Sequence, residues 1–344
     1  MKCAIYHGPH ELTMEDRPEP EVGSHDALLE ITYAGVCGSD VTAWTYDGAA
    51  VGIVEGKEFG HEFSGIIAAV GEDVVGIKVG DRVWVNPETC KLAGKVACCS
   101  CGGFSEKVLI ENAKLEHNVY KLPDDVDLKE AALIEPFCVG IHGKNAVNVT
   151  KDDKVAIFGA GPIGLCCLNA VIGSGVKKVA VVDIRDDRLA DAEAMGAIPI
   201  NSTSSDFKEQ MEEAFGTTMT PFGPALDVDV FIDCAGCAPV MDSIFSMAKY
   251  EARISVVAVY KAPYEINLML VMAKRYTIKG SCAYDHEDAL EAIDLLSKKS
   301  TNIDKLITHV FPHTELEKAL DTASDPQSGA LKVIIDYSPW NLRE

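Results

Sequence analysis

The chain has 344 residues, which is long for one ordinary domain, so we expect two domains. Its 31 basic and 53 acidic residues give a net charge of -22, which argues against binding to nucleic acid or to an anionic membrane surface. No apolar core of a signal peptide follows Met1, and no apolar run approaches the length of a membrane span, so we expect a cytoplasmic protein.

The first 140 residues are predicted to form a β-rich domain. Short apolar or alternating runs at 27–33, 63–70, 82–86 and 104–110 are separated by turns that contain Gly, Pro, Asn and Asp. From Leu128 the apolar residues change to helical spacing, and this pattern continues to Val147. We interpret this helical segment as the bridge between two domains.

Two glycine-flanked turns of this domain carry candidate metal ligands. Cys37 follows a predicted strand in the sequence GVCGSD, and His61 precedes another strand in GHEFSG. A thiolate and an imidazole, with a carboxylate as a third ligand, suit a tetrahedral zinc ion, and catalytic zinc keeps one position open for water or substrate. Each residue alone has another interpretation, since Cys37 can be a small core residue and His61 a buried histidine whose hydrogen bonds are satisfied.

The stretch 154–183 predicts a dinucleotide-binding βαβ unit. The apolar run 154–158 is typical of a strand buried on both faces, and GAGPIG follows it at 159–164. Gly159 allows a tight turn, Gly161 lets the backbone approach a diphosphate, and Gly164 lets the next helix pack on the strand. A lone G-x-G-x-x-G motif is weak evidence, but this one lies between two strand-like runs with a helix-length segment inside.

The second strand of this unit ends at Asp183, which follows Gly164 by 19 residues. A carboxylate there accepts hydrogen bonds from the adenosine ribose and repels a 2'-phosphate, so it favours NAD over NADP. Arg185 and Arg188 leave the choice open, because arginines near this strand end can pair with such a phosphate or can simply belong to a solvated helix start.

Further strands at 228–233 and 253–259 extend the βαβ unit into a doubly wound parallel sheet. An acidic helix is expected from Glu287 to Lys299, and a last strand from Leu331 to Asp336.

The twelve cysteines are expected to be reduced thiols, core residues or metal ligands rather than disulfides, because no export signal is evident. Seven lack the spacing of metal ligands and are interpreted as structural or pocket-lining: Cys3, Cys138, Cys166, Cys167, Cys234, Cys237 and Cys282.

In this order along the chain, GVCGSD, GHEFSG, Gly80-Asp81, Glu135-Pro136, the glycine loop and Lys279-Gly280-Ser281 resemble the zinc-dependent medium-chain alcohol dehydrogenases, in particular the branch of 2,3-butanediol, sorbitol and threonine dehydrogenases. The resemblance covers essentially the whole chain. It implies an α/β protein in which a discontinuous GroES-like β-rich catalytic domain (1–140 and 276–344) accompanies a doubly wound Rossmann domain (141–275). The cofactor residues it implies are Gly159, Gly161, Pro162, Ile163, Gly164, Asp183 and Arg188.

The resemblance also implies a set of roles at the metal. Cys37 and His61 would be zinc ligands, while Glu62 and Glu135 would share the remaining coordination, one ligating and the other holding bound water. Glu62, Glu135 and Ser39 would take part in catalysis, with Ser39 starting a proton relay; its alternative role is to cap the following helix. Many relatives carry a histidine where this chain has Thr42, so the usual exit for the proton is altered.

The implied reaction is hydride transfer between a secondary alcohol, of vicinal diol or polyol type, and NAD, with a ketone as product and NADP less favoured. The alternatives are a zinc-free NAD(P)H-dependent reductase of the same superfamily and a non-catalytic dinucleotide-binding protein. Relatives assemble as homodimers or homotetramers, commonly near the run equivalent to 266–274, which can instead be a buried helix.

A second, structural zinc is common in relatives, on four cysteines spaced C-x2-C-x2-C-x7-C. This chain has a shorter lobe with four thiols in a different order, so both a second zinc and a trimmed loop with spare thiols remain open. The thiols concerned are Cys90, Cys98, Cys99 and Cys101.

Overall fold

A computed structural model of the chain describes residues 1–338 and divides them into two compact units. Unit 1 comprises Met1–Glu135 and the chain from Leu306 onward, and unit 2 comprises Pro136–Lys305. Residues 339–344, which the predicted catalytic domain includes, lie outside the described residues.

The strands, in chain order, are β1 (Lys2–Gly8), β2 (Glu11–Asp16), β3 (Ala27–Gly35), β4 (Lys57–Glu58), β5 (Glu62–Val70), β6 (Arg82–Val85), β7 (Lys107–Ile110), β8 (Val119–Lys121), β9 (Lys154–Phe158), β10 (Lys178–Asp183), β11 (Ile198–Asn201), β12 (Thr217–Thr220), β13 (Gly223–Leu226), β14 (Val230–Asp233), β15 (Arg253–Val256), β16 (Thr277–Gly280), β17 (Ile307–Pro312) and β18 (Lys332–Asp336). The α-helices are α1 (Gly38–Thr45), α2 (Leu128–Ala131), α3 (Ile134–Ala146), α4 (Pro162–Gly173), α5 (Asp186–Ala194), α6 (Phe207–Phe215), α7 (Ala238–Met247), α8 (Leu268–Lys274), α9 (His286–Ser297) and α10 (Leu316–Ser324).

Unit 1 is built on a sheet in the order β17-β18-β3-β5-β6-β8, with β7 also paired to β3, and on a three-stranded sheet β2-β1-β4. Its core includes Leu29 and Ile31 of β3, Phe63 and Ile67 of β5, and Val83 of β6, all fully buried. The antiparallel pairing of β3 with β5 sets Gly35 opposite Glu62. The turn that leaves β3 and the turn that enters β5 are therefore neighbours.

Unit 2 contains a six-stranded parallel sheet in the order β11-β10-β9-β14-β15-β16 and a separate hairpin of β12 and β13. Because β10 and β14 flank β9, the strand order reverses between β9 and β14. Such a reversal marks the edge at which open α/β sheets bind ligands, beyond the carboxyl ends of the strands. Residues 155–158 of β9 are buried, as the apolar run predicted for a doubly covered strand.

The predicted fold class, a β-rich unit with a doubly wound parallel sheet, is confirmed. The compact units differ from the predicted domain boundaries, because residues 136–140 and 276–305 group with unit 2. Two contacts explain this grouping: β16 pairs in parallel with β15, and His142 Nδ1 on α3 lies 2.7 Å from Asp288 Oδ2 on α9. Within the described range, no helix is long and apolar enough to cross a membrane.

Candidate active site

Unit 1 brings Cys37, His61 and Glu62 together. Cys37 is the residue before α1, His61 precedes β5, and Glu62 opens β5. One ligand atom of each side chain, a sulfur, an imidazole nitrogen and a carboxylate oxygen, lies within 4.8 Å of the other two. Glycine makes this approach possible, because a Cβ at Gly35 would lie 2.3 Å from Glu62 Oε2. Gly60 has φ +88, and a Cβ there would lie 2.8 Å from the Phe104 ring.

The donors have the chemistry of a zinc site. Sulfur, imidazole nitrogen and carboxylate oxygen are the atoms that bind Zn²⁺ in proteins. His61 is buried, and its Nδ1 has no hydrogen-bond partner among the described residues. Burial raises the pKa of the Cys37 thiol. Burial alone would lower the pKa of His61, but the opposing charges of Cys37, Glu135 and Asp40 raise it well above its usual value. A divalent metal would favour the charged forms of the thiol and the carboxylates that meet here, so the residues fit such an ion.

Glu62 is tied to a lysine that the sequence interpretation missed. Lys332 Nζ on β18 lies 2.7 Å from both Glu62 oxygens and 3.2 Å from the Val36 carbonyl oxygen. The Lys332 side chain is 3% exposed and the Glu62 side chain 0%. The one sequence signal for this contact is that a charged residue opens an otherwise apolar strand, KVIID. The carboxylate of Glu62 is therefore already neutralised by a buried cation.

Glu135 differs from Glu62 in this respect. It is the second residue of α3, and burial raises the pKa of its carboxyl group to about 7, while His61 opposes that rise. Its carboxylate is close enough to His61, Glu62 and Lys332 to feel the charge of all three. Glu135 is thus buried within electrostatic reach of the predicted ligands, whereas the ligand atoms that converge within 4.8 Å are those of Cys37, His61 and Glu62.

Ser39 lies in the first turn of α1. The side chain that caps this helix start is that of Asp40, not that of Ser39. The Asp40 carboxylate accepts a hydrogen bond from the Cys37 amide at 2.8 Å. Asp40 is fully buried, and burial raises its pKa to about 7. Sequence reasoning missed this residue, although its place three residues after Cys37 is the position from which a side chain can return to the first amide of a helix.

The lobe 86–102 packs its cysteines as two pairs. Cys90 and Cys101 are buried in the core of unit 1 and share a hydrogen bond, and Cys101 Sγ lies 3.2 Å from the Gly60 carbonyl oxygen. Cys98 donates a hydrogen bond to the Cys99 sulfur, and this bond lowers the pKa of Cys99 to about 6, with smaller effects from nearby His61 and Ser39.

Among residues 1–338, three or more potential ligands converge at two places, and neither includes a cysteine of the lobe. The second place consists of His142, Asp285 and Asp288, where the Asp288 carboxylate already accepts hydrogen bonds from His142, Asn145 and the Asp285 amide. That group is a satisfied link between α3 and the start of α9.

In unit 2 the glycine loop has the form that a diphosphate needs. Gly159 has φ +103, and a Cβ at Gly164 would lie 1.8 Å from the Gly159 carbonyl oxygen, so both positions require glycine. A Cβ at Gly161 would meet nothing within 4 Å, which leaves the backbone open to a ligand. Pro162 and Ile163 begin α4, whose first amides have no partner within the helix.

Asp183 ends β10 beside this loop. Its carboxylate accepts hydrogen bonds from the amides of Ala160 at 2.6 Å, Ile184 at 2.7 Å and Arg185 at 3.0 Å. The Arg185 guanidinium is held by Asp187, with Nε 3.0 Å from Oδ1. Arg188 lies on α5, where burial and then Arg185 lower its pKa. The glycine loop and Asp183 thus meet at the carboxyl ends of β9 and β10, and Arg188 lies on the helix that follows β10.

Two family models match the chain: the alcohol dehydrogenase GroES-like domain over residues 23–124, and the zinc-binding dehydrogenase over residues 162–298. The chain is 33% identical over 336 residues to a probable D-xylulose reductase A of Aspergillus clavatus, covering 92% of this chain and 91% of that protein. The chain belongs to the zinc-dependent medium-chain alcohol dehydrogenases.

Two further similarities support the same family. The chain is 32% identical over 355 residues to sorbitol dehydrogenase of Bos taurus, covering 97% of this chain and 96% of that protein. The crystal structure of 2R,3R-butanediol dehydrogenase from Bacillus subtilis matches with a TM-score of 0.84 at 25% identity, over 97% of this chain and 99% of that one. The predicted family and activity are confirmed: this is a zinc-type dehydrogenase that acts on CH-OH groups with a nicotinamide cofactor.

Proposed function

We propose that this dehydrogenase oxidises a secondary alcohol of the vicinal diol or polyol type with NAD and reduces the matching ketone. The observation that carries the proposal is the convergence of Cys37, His61 and Glu62 in unit 1, with Glu135 nearby, in a chain whose unit 2 bears the glycine loop and Asp183. The named activities of the similar proteins, on xylulose, sorbitol and butanediol, support the substrate class. Unit 1 is then the catalytic domain and unit 2 the cofactor domain.

We assign the third protein ligand to Glu135 rather than Glu62. Both oxygens of Glu62 lie 2.7 Å from the Lys332 ammonium, so Glu62 would have to leave a buried counter-charge to reach a metal. Glu135 has no such bidentate partner in the contacts of the described residues. Glu62 then stays paired with Lys332 beside the ligands without binding the metal itself.

When bound, zinc would act as a Lewis acid on the alcohol oxygen, and NAD would accept the hydride. Before the hydride leaves, the chain must remove the hydroxyl proton. Ser39, in the first turn of α1, is the proposed first member of the relay: its hydroxyl would accept this proton while giving its own to water, and Glu135 is the alternative route. Thr42 is not part of this route, because its hydroxyl donates to the Gly38 carbonyl at 2.9 Å as an ordinary helix contact.

NAD is the proposed cofactor rather than NADP. Asp183 would repel a 2'-phosphate, and Arg185 is already paired with Asp187. We further propose one zinc ion per chain, because Cys90 and Cys101 are buried as core residues and no lobe cysteine belongs to a group of converging ligand atoms among residues 1–338. A cytoplasmic location stays a prediction from the sequence.

A homo-oligomer is proposed from the surface of unit 2. Leu268, Met269 and Met272 on α8 are 72%, 70% and 69% exposed. The neighbouring strand β16 is at one end of the sheet order, so its outer edge has no strand partner among the described residues. A second copy of the chain can cover both features. Light scattering should show a dimer or tetramer, and Met269→Lys should shift it toward the monomer.

The test of the proposed function is NADH formation with a panel of diols, polyols and simple secondary alcohols, before and after treatment with a strong chelator. Loss of activity on chelation and recovery with Zn²⁺ are expected. Cys37→Ser should abolish both zinc retention and activity, whereas Cys3→Ala, at a buried thiol outside the donor cluster, should keep both. Activity that survives removal of zinc would instead indicate a zinc-free reductase, and NADH binding without any turnover a non-catalytic protein.

A further inference from the structure

Asp233 is the centre of a hydrogen-bond network at the ligand-binding edge of the parallel sheet. It ends β14, is fully buried, and pairs with Phe158 of β9 on one side and Val256 of β15 on the other. Its carboxylate accepts hydrogen bonds from the amides of Ala235 at 2.9 Å and Gly236 at 3.0 Å. Its backbone carbonyl accepts two more, from the amides of residues 257 and 258, both at 3.0 Å.

A tyrosine from the next loop completes this network. Tyr260 Oη donates to Asp233 Oδ2 at 2.6 Å. Burial, and then this bond, raises the pKa of Tyr260, so the hydroxyl stays protonated and remains a donor throughout the neutral range. A buried carboxylate is costly unless its oxygens are hydrogen-bonded, so Asp233 and Tyr260 stabilise each other.

The loops joined by Asp233 are in contact with each other and with the glycine loop. A Cβ at Gly159 would lie 3.0 Å from the backbone carbon of Cys234, so the loop after β14 rests on the turn after β9. A Cβ at Gly236, which has φ +67, would lie 2.9 Å from the carbonyl oxygen of Val259. A displacement of the loop after β15 would therefore reach the loop after β14.

The position of these loops suggests which half of a dinucleotide they serve. The glycine loop and Asp183, at the ends of β9 and β10, suit the diphosphate and the adenosine ribose. A dinucleotide that crosses the reversal between β9 and β14 places its other half over the ends of β14 and β15. Those are the strand ends whose loops Asp233 and Tyr260 hold together.

We propose that Asp233 and Tyr260 are positioning residues for the nicotinamide half of the cofactor: their hydrogen bond holds the loop 257–260 in the place that receives it. Neither residue is proposed to react. The inference rests on the proposed NAD-dependent function, and it concerns binding geometry rather than chemistry.

The chain contains a matched control on the same segment. Tyr264 Oη donates to Asp242 Oδ1 at 2.7 Å, and its ring stacks on Phe245 with centroids 6.4 Å apart and planes at 8°. This bond ends on helix α7 rather than on a strand end. Tyr264→Phe removes one tyrosine-aspartate hydrogen bond, as Tyr260→Phe does, but leaves the bond to Asp233 in place.

The experiment measures the dissociation constants of NADH, by fluorescence, and of ADP-ribose, by calorimetry, for the full-length wild type and both variants. ADP-ribose lacks the nicotinamide ring, so it reports the adenosine half alone. In Tyr260→Phe, the loop loses the hydrogen bond to a charged group that holds it in place, so the receptive form is less populated and NADH binding should weaken about tenfold, while ADP-ribose binding changes less than about twofold. Tyr264→Phe should leave both constants unchanged.

Two outcomes would overturn the inference. One is that Tyr260→Phe binds NADH with wild-type affinity. The other is that the binding of NADH and of ADP-ribose weakens equally, which would indicate general damage to unit 2. A double-variant cycle with Asp233→Asn adds a second criterion. Asn keeps an oxygen for the Ala235 and Gly236 amides but removes the charge that the Tyr260 hydroxyl faces. The two substitutions should not be additive, because both act on the same contact, and additive effects would contradict the coupling. Failure of the wild type to bind NADH at all would instead refute the proposed function itself.

Discussion

Replacing Lys332 by methionine is expected to leave the Glu62 carboxylate buried without its counter-charge. Methionine preserves most of the volume of the lysine stem, so the change acts mainly on charge. In the wild type the ammonium lies 2.7 Å from both carboxylate oxygens, with 3% and 0% of the two side chains exposed. The variant removes these contacts and the hydrogen bond to the Val36 carbonyl.

The size of the effect follows from this burial. Removing one member of a buried ion pair destabilises a protein by about 3–5 kcal/mol, most of it the penalty of the unpaired charge. Loss of the donor to Val36 adds about 1 kcal/mol. We therefore expect the free energy of unfolding of the zinc-free protein to fall by about 4–6 kcal/mol. In Glu62→Gln/Lys332→Met, where neither charge remains, at least half of this loss should be recovered.

The assay is urea unfolding in the presence of a chelator, followed by tryptophan fluorescence, since Trp44 and Trp84 both lie in unit 1. Lys318→Met is the matched control: that lysine is 67% exposed and pairs with Glu315, so its loss should change stability by less than about 0.5 kcal/mol. The reasoning is refuted if Lys332→Met costs no more than this control, or if the double variant is as unstable as Lys332→Met alone.

Three further predictions concern the ligands, the cofactor and pH. Glu135→Gln should weaken zinc binding, measured by competition with a chromogenic chelator, about tenfold more than Glu62→Gln, and equal effects would contradict the assignment of Glu135 as ligand. Asp183→Ser should lower kcat/KM for NAD and raise it for NADP, and an unchanged ratio would count against a role for Asp183 at the ribose. Burial lowers the pKa of His313 to about 4. The unfolded chain therefore binds a proton near pH 6.5 that the folded chain does not. In urea titrations, the stability of the wild type relative to His313→Gln should be highest above pH 6.5 and should fall by about 3 kcal/mol toward pH 4. A pH-independent difference would refute this prediction.

Much of the fold and part of the candidate site could be predicted because the signals are local. The turns around Cys37 and His61 are marked by adjacent glycines, and antiparallel pairing of the strands beside them makes the two turns neighbours. The glycine loop likewise lies between two strands within thirty residues. In such segments, backbone geometry requires particular residue types at fixed spacing, and a sequence records this directly.

Other features depend on contacts between distant parts of the chain. Lys332 is 270 residues from Glu62, and nothing near either residue identifies the other as its partner. Tyr260 lies in a loop without regular secondary structure and contacts Asp233, which is 27 residues earlier in the chain. Compact unit 2 extends beyond the predicted cofactor domain, and the pairing of β16 with β15 that extends it depends on the register of the whole sheet rather than on the residues of β16.

Zinc X-ray absorption spectroscopy of the purified protein, combined with a metal count, tests the central claim most directly. One zinc per chain is expected, with a single sulfur neighbour at about 2.3 Å and the remaining neighbours nitrogen or oxygen at about 2.0–2.2 Å. In Cys37→Ser the sulfur neighbour should disappear. A first shell dominated by sulfur, or a sulfur signal that persists in Cys37→Ser, would place the metal on the cysteines of the lobe and contradict the site described above.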